Sequence, residues 1–134
     1  MKPFHLEIVT PDGLVFDGEA ESLLVRTDDG DVEILAGHTD FLASVAIGRA
    51  RIRTPDGEER YASAAGGFLS IAHGEVKLVA ITFEFAEYID LSRAESARAA
   101  AEAAIAKATS EREERVAKAK LARALNRINI AGFR

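Results

Sequence analysis

The strongest constraint on the fold is a change of hydrophobic period near residue 88. Before it, apolar residues recur at every second position between turn signals, which is the pattern of half-buried strands. Phe4, Leu6 and Ile8 alternate with His5 and Glu7, and Pro11-Asp12-Gly13 follows as a turn. Proline fixes φ there and glycine accepts the positive φ that tight turns demand. Leu14 to Phe16 and Leu23 to Arg26 read as the next strands, and Asp28-Asp29-Gly30 as the next turn. Val32 to Leu35, Phe41 to Val45 and Ala50 to Thr54 continue the series. Pro55-Asp56-Gly57 is a hairpin tip with Glu59 to Ser63 returning. Phe68 to Ile71 and Val76 to Phe83 close the region, joined around His73-Gly74. Short strands at this spacing predict an antiparallel sandwich or barrel, not alternating β and α units.

After the change, Leu91 to Ala108 is almost wholly Ala, Glu, Arg, Lys and Ser, all compatible with a helix. Ala94, Ala97, Ala101, Ala104, Ile105 and Ala108 form a stripe at helical spacing. Either Asp90 or Ser92 can serve as the N-cap. Thr109-Ser110 breaks the run, and Ser110 followed by Glu113 is a capping-box pattern that opens a second helix. Ala117, Leu121, Ala124, Leu125 and Ile128 lie along one face of it, and Gly132 ends it. So short a connection requires antiparallel packing. The reading is therefore mostly β plus α: a sandwich over 1–86, then a helical hairpin over 87–134.

An alanine stripe buries little. Each buried CH₂ is worth about 0.8 kcal/mol, against about 1.5–3 kcal/mol for a fully buried Leu or Phe side chain. Helices formed by local propensity but weakly packed make a two-state element. The same composition equally fits two stable surface helices, and the pattern alone does not separate these readings.

No catalytic or metal-ligating constellation is present. His5, His38 and His73 fall in a strand and two turns without metal-ligand spacing, so structural roles are expected. The chain has no cysteine, which excludes disulfides and thiolate chemistry. No serine stands in a nucleophile elbow. Ala65-Gly66-Gly67 is not followed by a helix, so its glycines read as a bend or a close backbone approach. The start, Met1 to His5, lacks an apolar signal core, and no run reaches the roughly 18–20 apolar residues of a membrane span. A protein that stays in its compartment of synthesis is expected.

Charge divides with the period. Residues 1–88 carry 16 acids against 7 bases, and residues 89–134 carry 6 against 10. A basic tail behind an acidic body suggests an anionic contact. Arg123 and Arg127, four apart, share a helical face and can grip phosphate; a solvated basic face with Arg115, Lys118 and Lys120 fits the pattern as well. Nucleic acid is not expected, since the whole chain is acidic and the tail's sole aromatic is Phe133.

Four segments in order resemble the epsilon subunit family of bacterial F-type ATP synthases (delta in mitochondrial naming). Gly30 to His38, GDVEILAGH, is similar to the family's G-x-x-x-I-L-P-G-H, with Ala36 where proline is usual. Gly66 to Leu69 resembles its G-G-F-L strand start. Ile89-Asp90-Leu91-Ser92-Arg93-Ala94 matches I-D-x-x-R-A at the sandwich–hairpin junction, and Leu121 to Ile128 resembles the second-helix ending. The resemblance implies a ten-stranded antiparallel β-sandwich followed by an antiparallel αα-hairpin. It implies a non-catalytic stalk subunit whose sandwich binds the gamma subunit and the c-ring. The hairpin would lie folded or extend toward the alpha and beta subunits and inhibit ATP hydrolysis. It further implies ATP as a regulatory ligand, with no required cofactor, and candidate contacts at Glu84, Ile89, Asp90, Arg93, Ala94, Arg123 and Arg127. The location implied is peripheral, on the cytoplasmic face of the bacterial plasma membrane. The competing class is a free-standing β-sandwich module binding a ligand or nucleic acid.

Overall fold

The computed structural model describes residues 2–133, which divide into two compact units, Met1–Phe85 and Ala86–Arg134. The first holds ten strands: β1 Phe4–Thr10, β2 Gly13–Ala20, β3 Ser22–Thr27, β4 Gly30–Ile34, β5 Phe41–Ser44, β6 Gly48–Arg53, β7 Glu59–Ala65, β8 Phe68–Ala72, β9 Glu75–Val79 and β10 Thr82–Phe85. They form two five-stranded sheets, ordered β2-β1-β9-β8-β5 and β10-β7-β6-β3-β4. The inward residues of both sheets make one core, including Leu6, Ile8, Leu23, Ile34, Ile52, Leu69 and Leu78, all fully buried. The alternation around His5 and Glu7 is thus real. Phe4, Leu6 and Ile8 are buried, while His5 is exposed and Glu7 half-buried.

The mostly antiparallel sandwich holds with one refinement, and one strand reading is corrected. The sandwich is antiparallel except where β1 runs parallel to β9. Parallel neighbours need a long connection, and β2 to β8 supply it here. Secondly, Val76 to Phe83 is not one strand. The chain leaves the first sheet after Val79 and enters the second at Thr82. Ala80 N–H donates to Val9 O at 3.0 Å and Ile81 N–H to Gly66 O at 3.4 Å, fixing the crossover.

The Gly66-Gly67 bend is as read from sequence, and its cause is visible. It carries the chain from β7 in one sheet to β8 in the other. Gly67 has φ +90°, and a Cβ there would lie 1.8 Å from the Val79 carbonyl oxygen. Only glycine permits that approach.

The second unit begins with a 3₁₀ turn, Ala86–Tyr88, followed by α1 Leu91–Lys107 and α2 Glu111–Ala131. Asp90, not Ser92, caps α1: its carboxylate accepts the Arg93 N–H at 3.0 Å. Ser110 caps α2 by accepting the Glu113 N–H at 3.1 Å. Glu113 reaches back one residue further than a capping box requires, accepting from Thr109 N–H at 2.9 Å and Thr109 Oγ1 at 3.1 Å. Gly132 ends α2 with φ −69°, so its left-handed freedom is not used.

The α1 stripe is narrower than expected. Ala94 and Ala101 are buried, Ile105 and Ala108 half-buried, and Ala97 and Ala104 exposed. On α2, Ala117, Ala124 and Ala131 are buried and Leu125 is exposed. The buried alanines are spaced seven apart on both helices, 94/101 on α1 and 117/124/131 on α2, which is the repeat of coiled-coil packing. Among the described residues, no helix is long and apolar enough to cross a membrane.

Candidate functional site

The seven candidate ligand residues fall in two units. Glu84 is half-buried on β10, opposite Ser63 of β7. The other six belong to the helical unit. Ile89 is buried and donates its N–H to Ala86 O at 3.3 Å, which closes the 3₁₀ turn. Asp90 is exposed, with its carboxylate engaged as the α1 cap. Arg93 projects from the first turn of α1, and Ala94 behind it is fully buried. Arg123 and Arg127 are half-buried on α2, on one face beside buried Ala124. Counting equally outward from the turn at Thr109, residues 91–95 of α1 stand level with residues 123–127 of α2. The hairpin thus brings the Ile-Asp-x-x-Arg-Ala segment and the two arginines to one end.

A cleft of about 640 Å³ opens at the opposite, turn end of the hairpin. Its walls include Lys107, Arg112, Val116 and Lys120, and none of the seven candidates lines it. Among the described residues, no group of three or more His, Asp or Glu is placed to hold a metal ion.

The two outer faces of the sandwich differ in chemistry. On the β10-β7-β6-β3-β4 sheet, charges answer one another across strands. Arg26 Nε donates to Asp31 Oδ1 at 2.9 Å, and this guanidinium holds the Asp31 carboxyl below the usual carboxylate range. Arg51 pairs with Glu33 and lies 3.7 Å from Glu59, and Arg53 lies 3.8 Å from Glu59.

The other sheet carries an uncovered apolar stripe. Cross-strand register sets Leu14 opposite Val9, Val9 opposite Val79, and Val79 opposite Phe68, on four adjacent strands. All four lie on outward-facing positions: Leu14 is 61% and Phe68 43% exposed, and the two valines are half-buried. A register shift between Ile8 and Val9 turns Leu14 outward while Phe16 still packs on the core. Leu42, 72% exposed, extends the apolar area on β5 next to Ser70 of β8. A stripe crossing four strands differs from isolated exposed aliphatics, because contiguous apolar surface marks an interaction site.

Sequence reading missed this stripe. Val9 and Val79 end apolar runs in which the outward member looks like any other strand residue. The one available signal was parity: Val79 is in phase with outward Glu75 and Lys77, not with buried Val76 and Leu78.

Comparison with known proteins accounts for both units. Residues 3–86 match the ATP synthase, Delta/Epsilon chain, beta-sandwich domain, and residues 87–132 match the ATP synthase, Delta/Epsilon chain, long alpha-helix domain. The ATP synthase epsilon chain of Bacillus velezensis is 39% identical over 132 residues, covering 98% of this chain and 99% of the relative. Among solved structures, a chain of the Euglena gracilis mitochondrial ATP synthase superposes with a TM-score of 0.82 at 19% identity, over 98% of this chain and 82% of that one. A chain of the Tetrahymena thermophila mitochondrial ATP synthase central stalk and c-ring gives 0.69 at 14% identity, over 95% of each. At those identities the structures speak for the fold, whereas the two family domains and the Bacillus relative speak for descent. The chain belongs to the ATP synthase delta/epsilon chain family.

Proposed function

We propose that the chain is a non-catalytic subunit of an F-type ATP synthase central stalk, with its sandwich as the docking body and its hairpin as a regulatory arm. The observation that carries the docking role is the Leu14–Val9–Val79–Phe68 stripe. It is apolar, it spans four strands, and covering it with a partner would remove that surface from water at about 25 cal/mol per Å². The gamma subunit is the partner proposed for it, with the c-ring as a further contact of the same body. The assembly would sit peripherally on the cytoplasmic face of the bacterial plasma membrane.

Phe68→Glu tests this reading, because a carboxylate in a desolvated apolar contact is costly. The exposed position should leave the sandwich folded. Binding to purified gamma is expected to weaken at least tenfold; wild-type affinity in this variant would remove the stripe from the interface.

The hairpin's proposed role is inhibition of ATP hydrolysis through contacts with the alpha and beta subunits, favoured by its excess of basic residues. ATP is proposed as its regulatory ligand. Ile89, Asp90, Arg93, Ala94, Arg123 and Arg127 at one end of the hairpin support that reading, and Glu84 of the sandwich is a separate candidate contact. Two half-buried arginines four residues apart can take phosphate oxygens in paired hydrogen bonds. Calorimetric titration of the isolated subunit with ATP should give measurable binding in the wild type and none in Arg123→Ala/Arg127→Ala. Equal affinity in the two proteins would exclude the arginines from the site.

A further inference from the structure

Two rows along the same outer face from the apolar stripe, His5 of β1 stands between carboxylates on both neighbouring strands. Its Nε2 lies 2.6 Å from Asp17 Oδ1 on β2, and its Nδ1 lies 2.5 Å from Glu75 Oε2 at the start of β9. Ionised carboxylates only accept hydrogen bonds, and a neutral imidazole carries a single N–H. With a neutral ring, one of the two contacts would set acceptor against acceptor at hydrogen-bond distance. An imidazolium satisfies both.

We infer that His5 is a proton-dependent clasp that ties the edge strand β2 through β1 to β9. The position makes the clasp consequential. β2 has a strand on one side only, and its ladder to β1 is interrupted by the register shift between Ile8 and Val9. Asp17 lies on the far side of that shift from Leu14, so His5 anchors the regular half of β2.

The surrounding charges favour the same protonation state. On this face β1 contributes Glu7, β2 contributes Asp17 and Glu19, and β9 contributes Glu75 and Lys77; the outward residues of β8, beyond β9, are the uncharged Phe68, Ser70 and Ala72. Lys77 Nζ is 3.4 Å from Glu7 Oε1, so it already serves one of the four carboxylates. The hydrogen bond to Asp17 first, and that to Glu75 second, push the imidazole up from 6.5 to about 9. A histidine raised in the folded state contributes stability in full below about pH 6.5. That contribution is lost as pH rises through about 9. The ring is 44% exposed, so solvent screens the interaction and the clasp adds to the sheet hydrogen bonds without replacing them. This inference stands on the sandwich alone and does not depend on the docking role proposed above.

The test is a proton NMR titration of the His5 ring in the full chain. The His5 midpoint is expected near pH 9, and near pH 6.5 in Asp17→Asn/Glu75→Gln. A wild-type midpoint near 6.5, or one that the double substitution leaves in place, overturns the clasp. Urea unfolding of wild type and His5→Gln gives a second reading. The wild-type advantage should be present at about pH 6 and gone by about pH 10. An advantage independent of pH would make His5 a packing residue only.

Discussion

The sandwich and the hairpin are held together by different means, and the difference shows where this molecule is rigid and where it can yield. The sandwich core is built from full-size side chains, with Leu6, Ile8, Leu23, Ile34, Ile52, Leu69 and Leu78 at no measurable exposure. Each contributes about 1.5–3 kcal/mol by leaving water. The hairpin seam is built from Ala94, Ala101, Ala117, Ala124 and Ala131, each offering one methyl group. Its main large fully buried side chain is Ile130. Capping and propensity support each helix locally, and the alanine methyls between them bury less apolar surface than the larger side chains of the sandwich. The sandwich thus draws on burial of large side chains, and the hairpin relies more on its local sequence.

The contrast predicts that truncation hurts the sandwich most. Leu78 lies on β9, the central strand of its sheet between β1 and β8, and is fully buried in the core. Leu78→Ala should cost roughly 3 kcal/mol, the transfer loss plus a residual cavity. For a unit of this size that lowers the melting temperature by roughly 15 °C. A calorimetric shift of only a few degrees would mean that the core collapses around the gap and is less rigid than its burial implies.

The hairpin should instead resist truncation, having little to remove, and fail on enlargement. Ala124 is 2% exposed at the centre of the α2 seam. Ala124→Leu forces three extra heavy atoms between close backbones and should destabilise the hairpin by about 2 kcal/mol. Hydrogen exchange resolves the effect by region: protection should fall over residues 91–131 and hold over the strands. Increased protection of the helices would show that the seam has room, and would remove the basis for a loosely held arm.

The ease of reading the two regions also differed, for physical reasons. Strand positions were legible because period two is sharp whenever one face is buried, as at Phe4-Leu6-Ile8. It failed at Val76 to Phe83, where the break is set by bonds to Val9 and Gly66, residues far away in the chain. Helix existence was legible from composition, and helix facing was not. With alanine on every side of α1, hydrophobicity cannot distinguish Ala94 and Ala101 from Ala97 and Ala104; the antiparallel partner decides. The candidate ligand residues came from a motif, and structure adds that Asp90 also serves as a helix cap. The apolar stripe was illegible because strand order, not strand sequence, lines up Leu14, Val9, Val79 and Phe68.

The smallest expected effect bears on the claim that local sequence sustains the hairpin. Ser110 Oγ accepts the Glu113 N–H, and Glu113 in turn accepts from Thr109, so two side chains satisfy the connection between the helices. Ser110→Ala removes the first and should cost about 1 kcal/mol of helix stability. The bond from the Thr109 N–H, and then that from its hydroxyl, hold the Glu113 carboxyl below its usual range. A depressed carboxylate stabilises above its unfolded pKa, near 4.5, and loses that contribution as pH falls through its lower folded value. Helical circular dichroism of the wild type should therefore decline on acidification. Glu113→Gln should flatten that decline, because its amide oxygen still accepts from Thr109 but no longer titrates. If Ser110→Ala left hairpin protection unchanged, the seam would be supplying more of the stability than its alanines can account for, and the division between a packed body and a locally stabilised arm would have to be redrawn.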